Sequence, residues 1–282
     1  MKITKVDIYM LDAGAQRASR RPICCRVHTD EGIYGDGEAG IAFDYAAPAG
    51  VGMLQDLSRL IIGEDPMRVD AIWEKLFKVS FWGQGGGPVV FAAISAIDIA
   101  LWDIAGKYYD VPVYRLAGGQ CRDKIRTYYH VSGSTTEELI AEVKKAKAEG
   151  YNAVGHLSPF LDEPRSQPYY MSYSCMINEA VDRVGLIREA VGDDMDLCLE
   201  LHRRMKPGEA IDFASKVAKY APMFLEDPII PDNFDDMAWI ADHSTVPIAT
   251  GERIHTIQEF QMLLQRHAMA YARTSVCLCG GI

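Results

Sequence analysis

The sequence predicts an α/β protein in which a (β/α)8-type, TIM-like barrel occupies residues 125–282 and a separate α+β unit occupies residues 1–124. Three observations carry that reading. From Ile125 onward, short apolar runs alternate with segments of helical periodicity, the pattern of successive βα units. Before Ile125 the strands come first and the helices after, as in an α+β arrangement. Finally, Glu200 in LCLELHRR, Glu226 in MFLEDP and Glu252 in ATGER stand 26 residues apart, each closing an apolar run. In a closed barrel the C-terminal strand ends open on one face, so acids at those ends converge. A lone acid there caps a helix or is solvated; the regular repetition of three points to a site, and three hard oxygen donors on rigid strands suit Mg2+.

Taken in order, Ile3–Leu11, Ile23–His28 and Gly32–Ala39 read as an antiparallel meander with turns at Thr29-Asp30-Glu31-Gly32 and Gly35-Asp36-Gly37. The polar loop Asp12–Pro22 carries Arg17, Arg20 and Arg21, which read either as solvated surface or as a flap whose cations meet an anion. Residues 52–62 and 66–78 read as helices, the second opened by Asp65-Pro66. Phe81–Pro88 is too rich in glycine for a helix or strand and has neither a GxGxxG nor a Walker lysine. Val89–Tyr109 is apolar nearly all round, so it is expected to be a helix buried between the two domains.

The βα repeats start with a strand at Ile125–Val131 and a helix opened by a capping box at Ser134-x-x-Glu137. A second strand, Ala153–Leu157, leads into a polar insertion, Ser158–Tyr173, with Arg165, Tyr169, Tyr170 and Tyr173, and then a helix at Ile177–Val191. Strands ending at Glu200, Glu226 and Glu252 follow, separated by helices at Pro207–Tyr220 and Asp235–His243. A helix at Thr256–Gln265 and a sixth strand at Ala270–Cys277 complete the reading. Six strands do not close an eight-stranded barrel, so the polypeptide is expected to continue past Ile282, with strands seven and eight missing from the chain.

With 282 residues, 49% hydrophobic and 24% charged, the composition is that of a soluble globular protein. No apolar run is expected to reach the ~20 residues of a membrane span, and the charged, β-patterned start is no signal peptide, so a cytoplasmic protein is expected. Seven cysteines, mostly in apolar segments, read as reduced core thiols. A net charge of −10 argues against nucleic acid and anionic membrane as partners. An anionic substrate would then need local positive charge, which a bound metal supplies.

The residues that carry a family resemblance are now in view: the segment AISAIDIALWDIAGKYYDVPVYRLAGG (residues 93–119), the glutamates in LELH, LEDP and TGER, and GGI at 280–282. On these the chain resembles the enolase superfamily, and within it the mandelate racemase-like sugar-acid dehydratases of the galactonate, gluconate and mannonate kind. The resemblance covers nearly the whole length. It implies an N-terminal capping domain over a barrel holding one Mg2+, with Glu200, Glu226 and Glu252 as ligands. It implies a small-molecule acid-sugar substrate, a homo-oligomer, and a metal that stabilises charge as the proton next to a carboxylate leaves. By the same likeness His202 is the general acid on the departing hydroxyl. Independently, alternation in an extended strand turns residues 200 and 202 to one side, and imidazole gives up a proton near neutral pH.

The chain also departs from the family. Where many relatives carry Lys-x-Lys at the end of the second strand, it has Val154-Gly155-His156-Leu157; His156 either substitutes for the lysine or bonds backbone. Alignment puts Ser275 where an Asp often ends the sixth strand. Arg165 and Tyr169 lie in the loop that serves the site in mannonate dehydratase-like members, and Arg203, Arg253 and His255 flank ligand positions. The expected function is Mg2+-dependent abstraction of the α-proton of an aldonate and loss of its β-hydroxyl to give a 2-keto-3-deoxy acid. A hydroxy-acid racemase or epimerase, and a metal-binding but catalytically silent sensor, are the alternatives.

Overall fold

A computed structural model describes residues 1–12, 14, 20–43, 45–161 and 171–282. By contacts the chain divides into two compact units. The first takes Met1–Asp123 together with Arg253–Ile257 and Thr274–Ile282; the second takes Lys124–Glu252 and Gln258–Arg273.

In the first unit, β1 (Ile3–Met10), β2 (Ile23–Thr29) and β3 (Tyr34–Ala39) form an antiparallel meander in that order. Gly32, at φ 81°, makes the turn between β2 and β3, a conformation glycine adopts without penalty. Gly35-Asp36-Gly37 is not a turn but lies inside β3. The glycines are there because α3 (Pro88–Tyr109) packs directly on the strand: a β-carbon on Gly35 would sit 1.9 Å from the Ala100 carbonyl oxygen, and one on Gly37 1.9 Å from that of Ala96. Two further helices, α1 (Ala47–Ile61) and α2 (Val69–Val79), differ in extent from expectation. The first starts earlier, with a proline at its opening turn. The second starts later, because the Asp65 carboxylate accepts the Met67 N–H (3.0 Å) and its carbonyl accepts that of Arg68 (3.1 Å), putting Pro66 in a turn. A single turn, α4 (Val113–Leu116), follows α3.

The buried side chains of α3 complete the first unit's own core with those of β2, β3 and α1. In length and apolarity α3 matches a membrane span, contrary to expectation, but 78% of that stretch is buried inside the protein, as in a core helix. Trp73 of α2 and two polar residues of α3 hold the Gly-Gly-Ile segment: Trp73 Nε1 donates to Gly280 O (2.8 Å), Gly280 N to Ser95 Oγ (2.9 Å) and Ile282 N to Asp98 Oδ2 (2.8 Å). Burial pushes the Asp98 carboxyl up to about 7. The motif pieces at 93–119 and 280–282 thus meet within this unit.

The second unit is built from βα repeats around a parallel sheet whose six strands run in sequence order: β4 (Tyr129–His130), β5 (Ala153–Leu157), β6 (Asp196–Glu200), β7 (Phe224–Glu226), β8 (Ile248–Thr250) and β9 (Tyr271–Ala272). Between them lie α5 (Thr136–Ala148), α6 (Tyr173–Val191), α7 (Pro207–Val217) with a 3₁₀ turn at Ala218–Tyr220, α8 (Phe234–His243) and α9 (Ile257–Gln265). The cap of α5 is Thr135, one residue later than expected: its hydroxyl accepts the Glu138 N–H (3.2 Å), and the Glu138 carboxylate returns to Ser134 N (2.7 Å). Ser172 caps α6. β4 and β9 are far shorter than their apolar runs, and residues 276–280 form turns. All seven cysteines are free; Cys25 and Cys198 are buried and Cys121 and Cys175 exposed.

Candidate active site

The register of the second unit brings carboxylates together. Glu200 and Glu226 pair directly across β6 and β7, and they are 3% and 1% exposed. Asp227 follows, 3% exposed, its carboxylate accepting from Thr250 Oγ1 (2.7 Å) and Arg203 (2.8 Å). Glu252 stands just past β8 and is more open; its carboxylate accepts from the same Arg203 guanidinium at 2.5 Å. Burial first, then the charge of Glu226, pushes the Glu200 carboxyl up to about 9, with Asp227 and Glu252 adding to it. Burial also raises Glu226, opposed by Arg273, whose Nε donates to Glu226 Oε1 at 2.6 Å. All four acids therefore lie within electrostatic reach of one another.

Histidines rim this cluster at three successive strand ends. His130 ends β4, its ring stacked on that of His156 at 4.2 Å, and the His156 ring meets that of His202 edge-on at 4.6 Å. The route by which His202 reaches Glu200 is not the one expected. β6 stops at Glu200, and His202 lies in a turn at φ 51°, not on an extended strand. That turn folds the chain back, so His202 N donates to Glu200 Oε1 (2.8 Å) while its Nε2 comes within 3.9 Å of the same oxygen. His156 at φ 55°, Arg203 at φ 62° and Asp227 at φ 44° share this left-handed conformation. Non-glycine residues held there are strained, and such strain gathers at functional sites. The donor atoms of His156, Glu200 and His202 all lie within 4.8 Å of one another.

Other anticipated residues lie elsewhere. Arg253, exposed, and His255, its ring 6.1 Å from Phe91, group with the first unit. Tyr173 donates its phenol to Asp212 on α7 (2.9 Å). Arg17, Arg165, Tyr169 and Tyr170 lie outside the described residues. At the sixth strand end the residue that reaches the cluster is Arg273 and not Ser275, because β9 ends at Ala272; Arg273 also donates to Tyr128 Oη (2.9 Å). Arg273, Asp227 and His130 were missed. The signal for His130 and Arg273 was their place at βα strand ends, and for Asp227 its place beside Glu226.

Residues 10–118 match the family described as mandelate racemase / muconate lactonizing enzyme, N-terminal domain, and residues 138–282 match the one described as enolase C-terminal domain-like. The chain belongs to the enolase superfamily. It is 33% identical over 282 residues to the D-galactonate dehydratase of Ralstonia pickettii, spanning all of this chain and 69% of that protein. A solved structure of an enolase-superfamily member from Salmonella Typhimurium superposes with a TM-score of 0.92 at 37% identity, covering 100% of this chain and 75% of the other. The 3,6-anhydro-D-galactonate cycloisomerase of Zobellia galactanivorans superposes at 0.85 with 26% identity, covering 100% and 74%. The N-terminal unit and TIM-like barrel are thus the enolase-superfamily fold, on its mandelate racemase-like dehydratase branch, and the chain is a hydro-lyase.

An enolase-superfamily member is expected to carry Mg2+, and the donor set can be tested for that. Glu200 and Glu226 are buried carboxylates raised first by burial and then by neighbouring acids, Glu226 acting on Glu200 and Asp227 and Glu252 on Glu226. A hard cation beside them would reverse both effects, and Mg2+ favours oxygen donors with positions left for water and substrate. Glu252 completes the set in charge. The residues fit.

Proposed function

We propose that the chain is an acid-sugar dehydratase that uses Mg2+ to remove water from an aldonate, giving a 2-keto-3-deoxy sugar acid. The observation that carries this reading is the pairing of buried Glu200 and Glu226 with His202 folded back onto the same carboxylate. Glu200, Glu226 and Glu252 would hold the ion, whose positive charge stabilises the negative charge that develops when the α-proton leaves a carboxylate substrate.

The chain's own residues do the rest. His202, side chain 20% exposed, faces solvent on one side and Glu200 on the other, where it can give a proton to the departing β-hydroxyl. Elimination needs that proton, because hydroxide is a poor leaving group. His156 opens on the same space, with its ring against that of His202, and contacts the substrate. Arg203 ties Asp227 and Glu252 together and so orients two strand ends at once. Arg253 and the loop residues Arg17, Arg165 and Tyr169 are assigned to substrate binding on sequence alone. The D-galactonate dehydratases among its relatives favour a hexonate, handled as a small soluble substrate in the cytoplasm.

The test is direct. Protein supplied with Mg2+ is incubated with a panel of hexonates and pentonates, and the 2-keto-3-deoxy product is assayed. Product from at least one aldonate is expected. Exchange of the α-proton with solvent deuterium and no product would replace this reading with an epimerase.

A further inference from the structure

At the strand ends two imidazoles and one carboxylate, those of His156, His202 and Glu200, bring their donor atoms together. We propose that His156, Glu200 and His202 form a second, nitrogen-rich site that takes a divalent transition ion of the Co2+, Ni2+ or Zn2+ kind. It shares Glu200 with the set proposed for Mg2+ and differs in donor chemistry.

Geometry is the first support. The donor atoms lie within 4.8 Å of one another, and His202 Nε2 is 3.9 Å from Glu200 Oε1. Donors bound at about 2.1 Å around one ion sit roughly 3–3.5 Å apart, so closure needs side-chain movements of about 1 Å, within reach of rotation about the imidazole and carboxylate bonds. The backbone is already arranged for it. Glu200 Oε1 is held by His202 N (2.8 Å), so one residue fixes the carboxylate and offers its ring to the same point. His130 backs His156 with a parallel ring at 4.2 Å and 21°, which limits the directions in which His156 can turn.

Chemistry is the second. Mg2+ prefers oxygen and keeps much of its water, so two imidazoles add little for it. Co2+, Ni2+ and Zn2+ favour imidazole, and two histidines with one carboxylate are an established way to hold such ions with positions left open. An ion held there would engage the His202 ring and withdraw it from proton delivery. On the reading of His202 as the acid, which this consequence rests on, transition ions antagonise the Mg2+ enzyme instead of replacing Mg2+ in it.

Protein stripped by a chelator is titrated with CoCl2 and followed by its visible absorption. The expected result is a saturable ligand-field band. His156→Asn, a residue type that tolerates φ near +55°, should weaken Co2+ binding at least tenfold, since losing even an outer-shell partner costs about 10–100-fold. Mg2+ affinity of the same variant, read by calorimetry, should change less than about twofold, because no Mg2+ donor is removed. His202→Asn provides a second reading with the same expectation for Co2+, and circular dichroism checks that each variant is folded. Equal Co2+ affinity and an unchanged band in both folded variants would overturn the proposal. The band requires no turnover, so this result and the aldonate assay stand or fall separately.

Discussion

Glu200 and Glu226 face each other across adjacent parallel strands, both almost wholly buried, with the Arg273 guanidinium bonded to Glu226. Two carboxylates in a region of low dielectric cannot both ionise cheaply. The pair is therefore a store of unfavourable charge that a cation relieves.

One consequence is a pH dependence of the metal-free protein. The Glu200 carboxyl moves from an ordinary 4.5 up to about 9 on folding, so between those values the folded state binds a proton that the unfolded state has lost. Stability then falls as pH rises through that window and is unaffected by this group below it. Urea midpoints at pH 5, 7 and 9 should decline in that order, and Glu200→Gln should flatten the decline. A midpoint that rises toward pH 9 would contradict the assignment.

Arg273→Leu removes the guanidinium from Glu226 and leaves a buried carboxylate short of compensation. Breaking a buried pair costs about 3–5 kcal/mol, and partial exposure of Arg273 brings the expectation nearer 2 kcal/mol. The loss should be larger at pH 8 than at pH 5, because burial already favours the protonated form of Glu226 at the lower pH. Denaturant titrations at the two pH values measure it.

His202→Asn keeps a side chain compatible with φ 51° but cannot deliver a proton. Loss of a general acid should lower kcat about 10²–10⁴-fold, with KM little changed. An unchanged rate on the aldonate found in the panel would take His202 out of its role.

Gly37→Ala tests the packing of the first unit. Its β-carbon would fall 1.9 Å from the Ala96 carbonyl oxygen, main chain of a rigid helix that has no flexible end to move aside. A destabilisation of about 2–3 kcal/mol is expected from overpacking of this kind, measured by thermal unfolding.

How far residues alone led can be argued from cases. The strands Ala153–Leu157 and Ile248–Thr250 and the helix limits at Gln265 and His243 match their apolar periodicity, since each pattern is set by local burial. The Gly35-Asp36-Gly37 stretch was misread, because glycine in a strand and glycine in a turn look alike until the helix across from it is known. Glu200 and Glu226 were visible as a repeat. Arg273 was not, because nothing in its neighbourhood of the chain names the carboxylate it meets 47 residues away.

Sequence alone determined the βα alternation after residue 125 and the spacing of the candidate acids, because each is written in local periodicity. Tertiary structure alone decided which side chains meet. His156, His202 and Asp227 take left-handed backbone conformations at or just past three strand ends, and Arg203 and Arg273 take up carboxylates from distant strands. Those outcomes depend on register and on the dielectric of a packed interior, and neither exists until the chain has folded.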